Sequence, residues 1–323
     1  MSEDKPEDIS IDVEKIAIRT RDWVKKNYVL FLILIPIFLS IFIRVQTAYL
    51  PVIDTAAEAN IKSYIQASIE QQINAQYPNL PEANRQALVQ QELERIYSGG
   101  TIDYLGQQVT IKEIVEENAR QLKAQFQDEY GLTYLGEIDP WYFYRLTENY
   151  LEHGYEGDIE LNGRYYDDHQ MAGTPREYLG GETSTLPHFH VMVEAYLYKI
   201  VHLFFPSMRL MTLVYFLPVL LAALSVIPAF FLVRKVAGNV GAVVAATLVA
   251  VHPSFISRTI AGFSDTDGYN VLFPLVIMWI FIEAIEAESW KKAALLATIA
   301  GAAMGIFSFT WGGWWYIYDF LLG

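Results

Sequence analysis

Five apolar runs, at 28–50, 210–233, 239–256, 269–286 and 292–310, constrain this chain more than any other feature. Each is close to the roughly 20 residues that carry a helix across a bilayer core of about 30 Å. In hydrocarbon every backbone N–H and C=O needs an internal partner, so runs of this length and composition are read as helices. A sixth run starts at Trp314. The mean hydropathy of +0.20 and a 53% hydrophobic content agree. The fold class is therefore mainly α, that of a polytopic membrane protein. A net charge of −14 excludes nucleic acid as a partner and favours a divalent cation or a cationic surface. The chain has no cysteine, which removes disulfides, thiolate metal sites and cysteine nucleophiles together.

Basic flanks set an expected orientation. Arg19, Arg21, Lys25 and Lys26 precede the first run, which places residues 1–27 in the cytoplasm and makes 28–50 an uncleaved signal anchor, with Arg44 free to snorkel outward. Arg234–Lys235 and Lys291–Lys292 should be cytoplasmic too. That requires "HFHVMVEAYLYKIVHLFF" (188–205) to lie on the outer surface rather than cross, and its three histidines, Glu194 and Lys199 suit an interfacial helix. Residues 51–209 then form a large external loop, followed by spans from 210 to 323. The turn at 257–268 faces outward, as does "FTWGGWW". Gly323 falls about ten residues into the sixth run, too few to cross at about 1.5 Å each, so the chain is expected to be the N-terminal part of a longer protein.

Within the loop, about 54–130 reads as helical. Ile61, Tyr64, Ile65, Ile69 and Ile73 share one face, Pro81 suits a helix start, and Gly99–Gly100 a stop. Thr110 and Glu113 have capping-box spacing before Ile111, Ile114, Val115, Leu122 and Phe126. From 131 the texture turns aromatic, Gly-rich and acidic, as in a surface that grips a headgroup or sugar at an interface.

Three carboxylates stand out. Asp139, in "GEIDPWYFYR" (136–145), precedes a proline and suits a helix N-cap. Asp265 and Asp267, in "GFSDTDGYN", lie in a turn composition where one of them could cap the next span. One cap leaves the second aspartate unexplained. Alternate residues of an extended turn can aim two carboxylates at one hard cation such as Mg²⁺ or Mn²⁺, and the expected topology puts Asp139 on the same side. Asp167, Asp168 and His169 are further donors, or else a solvated acidic loop.

Four stretches together resemble the catalytic subunit of oligosaccharyltransferase, of the archaeal and eukaryotic single-protein type. "GEIDPWYFYR" is similar to its first-loop G-x-x-D motif, and "RYYDDHQ" to the acidic stretch that follows. "HPSFISRTIAGFSDTDGYNV" is similar to its P-x-x-I-S-R-x-x-A-G-x-x-D-x-D/E segment, and "FTWGGWWYIYD" to its W-G-G signature. The resemblance runs from about 28 to 323, with 54–130 looking like an insertion. It implies a C-type glycosyltransferase fold and inverting, metal-dependent transfer of an oligosaccharide from a dolichol-linked donor to the Asn of N-x-S/T in an acceptor polypeptide. It implies that Asp139 coordinates the metal and engages the acceptor amide, that Asp265 and Asp267 are metal ligands, and that His169 is a further one. Arg258 and Arg145 become candidate contacts to the anionic donor. The family's W-W-D-Y-G motif does not occur here, so residues 1–323 alone are expected to be inactive. The alternatives are another lipid-donor C-type enzyme, such as a mannosyltransferase, and a transporter or scaffold. A transporter should place charge near the bilayer middle, where these runs have almost none.

Overall fold

A computed structural model describes residues 22–99, 101–104, 107–167, 176–178 and 188–322. The chain divides into two compact units, one of residues 1–43, 219–259 and 266–323, the other of 44–218 with 260–265.

The apolar runs become helices, most of whose residues fall in the first unit. α1 (Tyr28–Arg44) continues through a break at Val45 into α2 (Gln46–Tyr49). The runs at 210–233 and 239–256 are joined in α8 (Leu210–Val251), which breaks at Gly238, with φ 64° and ψ −166°. A straight helix would put Val226 about 36 Å from Ala250. Instead Val226 and Phe230 share one cluster with Ala242, Ala246, Ala250 and Ile33, so the two arms fold back on each other. Alanines at every fourth residue give the close approach that apolar solvation by lipid cannot drive. A short helix, α9 (Pro253–Ser257), and a 3₁₀ turn (Thr266–Gly268) lead to α10 (Tyr269–Ile285). α11 (Trp290–Phe307) begins at Ser289, whose hydroxyl accepts from the Lys292 amide. Ile277 and Phe307, with Ile317 of α12 (Tyr316–Leu322), are the buried centre of this end of the unit.

Polar side chains gather at one set of helix ends. Arg234 Nε donates to Asn239 Oδ1 at 2.8 Å, and Asn239 Nδ2 donates to the Tyr28 hydroxyl at 2.6 Å. Lys235 Nζ lies 3.1 Å from Glu283 and also pairs with Glu286. The start of α1, the break in α8 and the end of α10 therefore lie at one level. Among the described residues, four segments (28–49, 210–251, 266–285 and 290–307) are long and apolar enough to cross a membrane, and the chain is a multi-pass membrane protein.

The second unit holds α3 (Pro51–Gln76), α4 (Glu82–Tyr97), the hairpin β1–β2 (Thr101–Tyr104, Gln107–Thr110) and α5 (Ile111–Ala124). Ile61, Ile65 and Ile69 face Val89, Leu93, Ile96, Ile111 and Ile114 in one core, with Ile73 at its edge. Tyr64 departs from the expected face and is exposed, and Phe126 lies exposed beyond the end of α5. The hairpin interrupts a segment that sequence read as helical, because Ile102 and Val109 alternate inward onto the helices. Thr110 and Glu113 form a reciprocal capping box. α6 (Ile138–His153), the antiparallel sheet β3–β4–β5 (Ile159–Leu161, Arg164–Asp167, Arg176–Tyr178) and α7 (Phe189–Phe204) complete the unit. Arg44 does not snorkel: it is fully buried, and its carbonyl accepts from the Ala261 amide at 3.0 Å.

α7 has 16 residues, about 24 Å, and is shorter than a bilayer core. Its buried face carries His190, Val191, Glu194 and Ala195, while Tyr196, Ile200, Leu203 and Phe204 are exposed. The exposed side of this helix carries large apolar side chains together with Lys199, while His190 and Glu194 lie buried beside Val191 and Ala195.

Candidate functional site

Asp139 lies in the first turn of α6, two positions after the N-cap. The N-cap is Glu137, extended at φ −139° and ψ 175°, and no side chain caps the helix. Pro140 follows in the first turn, where no amide hydrogen is needed. A carboxylate in a first turn is favoured by the helix dipole, but Asp139 itself is exposed. The segment before it is held by Trp141, whose indole N–H donates to the Leu135 carbonyl at 3.2 Å. The cap reading for Asp265 and Asp267 is corrected in the same way, since α10 starts from Gly268 without a side-chain cap.

The two aspartate-bearing loops meet through their backbones. Gly136 N–H donates to the Gly262 carbonyl at 3.0 Å. Each glycine stands three residues before an aspartate, Gly136 before Asp139 and Gly262 before Asp265. Both positions exclude a larger residue. A Cβ on Gly136 would lie 2.2 Å from the Phe263 ring. Gly262 has φ +94°, and a Cβ there would lie 2.8 Å from the ring of Tyr215, which is fully buried. The Gly262 amide in turn donates to the Tyr215 carbonyl at 2.8 Å. The neighbouring Ala261 carbonyl accepts from the Thr47 hydroxyl at 2.8 Å. The glycines of the two G-x-x-D patterns are therefore where the two backbones are hydrogen-bonded to each other.

Beneath this junction is a buried polar network that sequence reasoning missed. Glu194 Oε1 accepts from the Ser264 hydroxyl at 2.8 Å, and Oε2 accepts from the Thr147 hydroxyl at 2.7 Å. His190 Nε2 is 3.0 Å from Glu194 Oε1 and 3.2 Å from Ser264 Oγ. The Phe143 ring meets the His190 ring edge-on at 4.8 Å. All four polar side chains are at most 1% exposed. The available signal was the His-x-x-x-Glu spacing, which puts two ionisable groups on one face of an apolar helix.

Both candidate arginines have acidic neighbours. Arg145 pairs with Asp158 and lies over the Tyr142 ring. Arg258 Nε is 3.6 Å from Asp267, and its side chain is 57% exposed. Burial, with the Glu148 carboxylate alongside, pushes the Tyr144 phenol up to about 12, so this motif tyrosine stays protonated at neutral pH. His169 and Asp168 lie outside the described residues.

A hard divalent cation fits the donor chemistry of these loops, which offer carboxylates from segments fixed against each other by the Gly136–Gly262 bond. Among the described residues no group of three or more His, Asp or Glu is gathered to hold a metal ion.

Comparisons with known proteins bear on these motifs. A family model described as oligosaccharyl transferase STT3, N-terminal, matches residues 110–322. A dolichyl-phosphooligosaccharide-protein glycotransferase of Methanococcus voltae is 34% identical over 198 residues, covering 60% of this chain and 21% of that protein. A protein of the same description from Methanocaldococcus jannaschii is 33% identical over 179 residues, 54% of this chain and 18% of its own length. The chain thus spans about a fifth of the curated relatives it matches. The solved archaeal oligosaccharyltransferase AglB from Archaeoglobus fulgidus, in complex with an inhibitory peptide and a dolichol-phosphate, aligns with a TM-score of 0.51 at 19% identity. That likeness covers 93% of this chain and 25% of the solved chain, and it is one of fold.

Proposed function

The chain belongs to the oligosaccharyl transferase STT3 family, and from that premise we propose that it carries the metal-binding, membrane-embedded part of an enzyme for N-linked protein glycosylation. The reaction is transfer of an oligosaccharide from a dolichol-linked donor to the side-chain amide of Asn in N-x-S/T. The single observation that carries this reading is the Gly136–Gly262 backbone bond, which brings the Asp139 loop to the Asp265 loop across 126 residues of sequence.

Asp139, Asp265, Asp267 and His169 are the residues that would hold Mg²⁺ or Mn²⁺. When bound, the cation would withdraw charge from the departing phosphate oxygen. An amide nitrogen is a poor nucleophile because its lone pair is delocalised, so placement must do much of the work. Asp139, exposed at the start of α6, would accept a hydrogen bond from the acceptor amide. Arg258, mostly exposed beside Asp267, is the better placed of the two arginines to meet the donor's negative charge.

The topology supports an external site. Arg234 and Lys235 lie at the same level as the start of α1 and the end of α10, which suits a cytoplasmic end under the positive-inside rule. The exposed Ile200, Leu203 and Phe204 of α7, with Lys199 beside them, suit a helix lying in the outer interface.

The test uses the intact protein in membranes, a purified lipid-linked oligosaccharide and a fluorescent peptide containing N-x-T. Transfer should require Mn²⁺ or Mg²⁺, stop with EDTA and fall by about 10²-fold or more in Asp265→Asn. Undiminished transfer by Asp265→Asn would overturn the assignment.

A further inference from the structure

We propose that Glu194, with His190, is a positioning residue that fixes the Asp265 loop against α6 by holding the hydroxyls of Ser264 and Thr147. The inference rests on the metal-site reading above and names residues that reading does not use.

Glu194 joins three separate stretches. Thr147 lies two turns along α6 from Asp139, Ser264 immediately precedes Asp265, and Glu194 and His190 are one turn apart on α7. Each carboxylate oxygen takes one hydroxyl, at 2.7 Å and 2.8 Å, so one rigid group sets the distance between α6 and the loop. With its proton on Nε2, His190 donates to Oε1 and supplies the carboxylate with a third donor. The carboxylate has no exposure at all. An apolar side chain of similar size would join α6 to α7 with less desolvation cost, so stability does not account for a carboxylate here. What it adds is direction: two short, charge-assisted hydrogen bonds leave each hydroxyl one position. The Gly136–Gly262 bond is a second fastening of the same loops. Together they fasten the Asp265 loop at Gly262 and Ser264, and tie the Asp139 helix to it from Gly136 on one side and Thr147 on the other.

A hydroxyl that positions a loop differs in its behaviour from one that fills space. Thr147→Val keeps the volume and removes the donor, Thr147→Ser keeps the donor, and Ser264→Ala removes the other donor. The three variants of the intact protein are compared for thermal unfolding, for hydrogen exchange at the Gly136 and Gly262 amides, for Mn²⁺ affinity by electron paramagnetic resonance, and for peptide glycosylation. The expected result is faster exchange at both amides in Thr147→Val and Ser264→Ala, and Mn²⁺ affinity reduced several-fold. In the same variants kcat should fall by about tenfold or more, while the acceptor KM changes little. Relative to Thr147→Val, Thr147→Ser should restore amide exchange, Mn²⁺ affinity and kcat. Folded Thr147→Val and Ser264→Ala proteins with wild-type amide exchange, or with wild-type Mn²⁺ affinity, would overturn the proposal. If instead the wild-type protein neither binds Mn²⁺ nor transfers glycan, the metal-site reading fails. The amide exchange then still decides whether Glu194 holds the loop.

Discussion

Replacing Gly262 by alanine probes the junction of the two motif loops at its tightest point. Two costs act together. A residue with a Cβ at φ +94° leaves the comfortable backbone regions, which costs about 1–2 kcal/mol. The new methyl would also stand 2.8, 3.3 and 3.4 Å from three ring carbons of Tyr215. Tyr215 has no exposed surface into which its ring could swing, so overpacking adds about 1–3 kcal/mol. Loss of backbone freedom in the unfolded chain returns about 0.4–1 kcal/mol. The net destabilisation is about 1–4 kcal/mol. At about 2–4 °C per kcal/mol for a unit of this size, a mid-range value lowers the apparent Tm by roughly 5–10 °C. The assay is thermal unfolding in detergent at one scan rate, because membrane proteins seldom unfold reversibly. Gly301→Ala is the internal control: it lies within α11, and its added Cβ meets nothing within 4 Å, so stability should hold or rise slightly. A Gly262→Ala protein that melts with the wild type would refute the reasoning. So would an equal fall in Gly301→Ala, which would show that the assay reads helix glycines in general.

Other substitutions test the remaining supports. Leu146→Ala, at a position with no exposure between α6 and Val191, should cost about 2–5 kcal/mol in thermal or denaturant unfolding. Thr110→Ala removes the side-chain acceptor for the Glu113 amide, leaves the backbone donation from residue 110 to Glu113, and should destabilise α5 by about 1 kcal/mol, seen as faster hydrogen exchange over its first turn. Asp128 gives a pH dependence. Burial pushes its carboxyl up, but the Arg209 guanidinium at 2.8 Å and the amides of Leu132 and Tyr130 outweigh burial and hold it below its ordinary value. A depressed folded value means the contribution is present above the unfolded value of about 3.9 and is lost as pH falls through the folded one. Protection of the Leu132 amide, measured against its intrinsic exchange rate at each pH, should therefore fall in acid for the wild type, and already be low at neutral pH in Asp128→Ala.

Sequence alone determined what depends on local composition and periodicity. Runs near 20 apolar residues dictate helices because lipid offers the backbone no partner, and the structure has helices over those runs. The Thr110–Glu113 box was legible because both partners lie within four residues. The aspartates of the two G-x-x-D patterns were legible as motifs, and their roles as ligands stay a proposal. What sequence could not give depends on partners far apart in the chain. Ile102 and Val109 form strands because the packed faces of α3 and α5 select alternation over helix. Arg44 is buried rather than snorkelling, with its carbonyl held by an amide 217 residues away. Glu194 and His190 read as marks of an interfacial helix, whereas the fold turns them inward onto Thr147 and Ser264. The glycines needed tertiary structure too: nothing local to Gly136 shows that the Phe263 ring will stand where its Cβ would be. Local hydrogen bonding and hydropathy act over one or two turns and can be read in order along the chain. The meeting of residues 136 and 262 is set by how α6, α7 and the loop pack, and only that packing decides it.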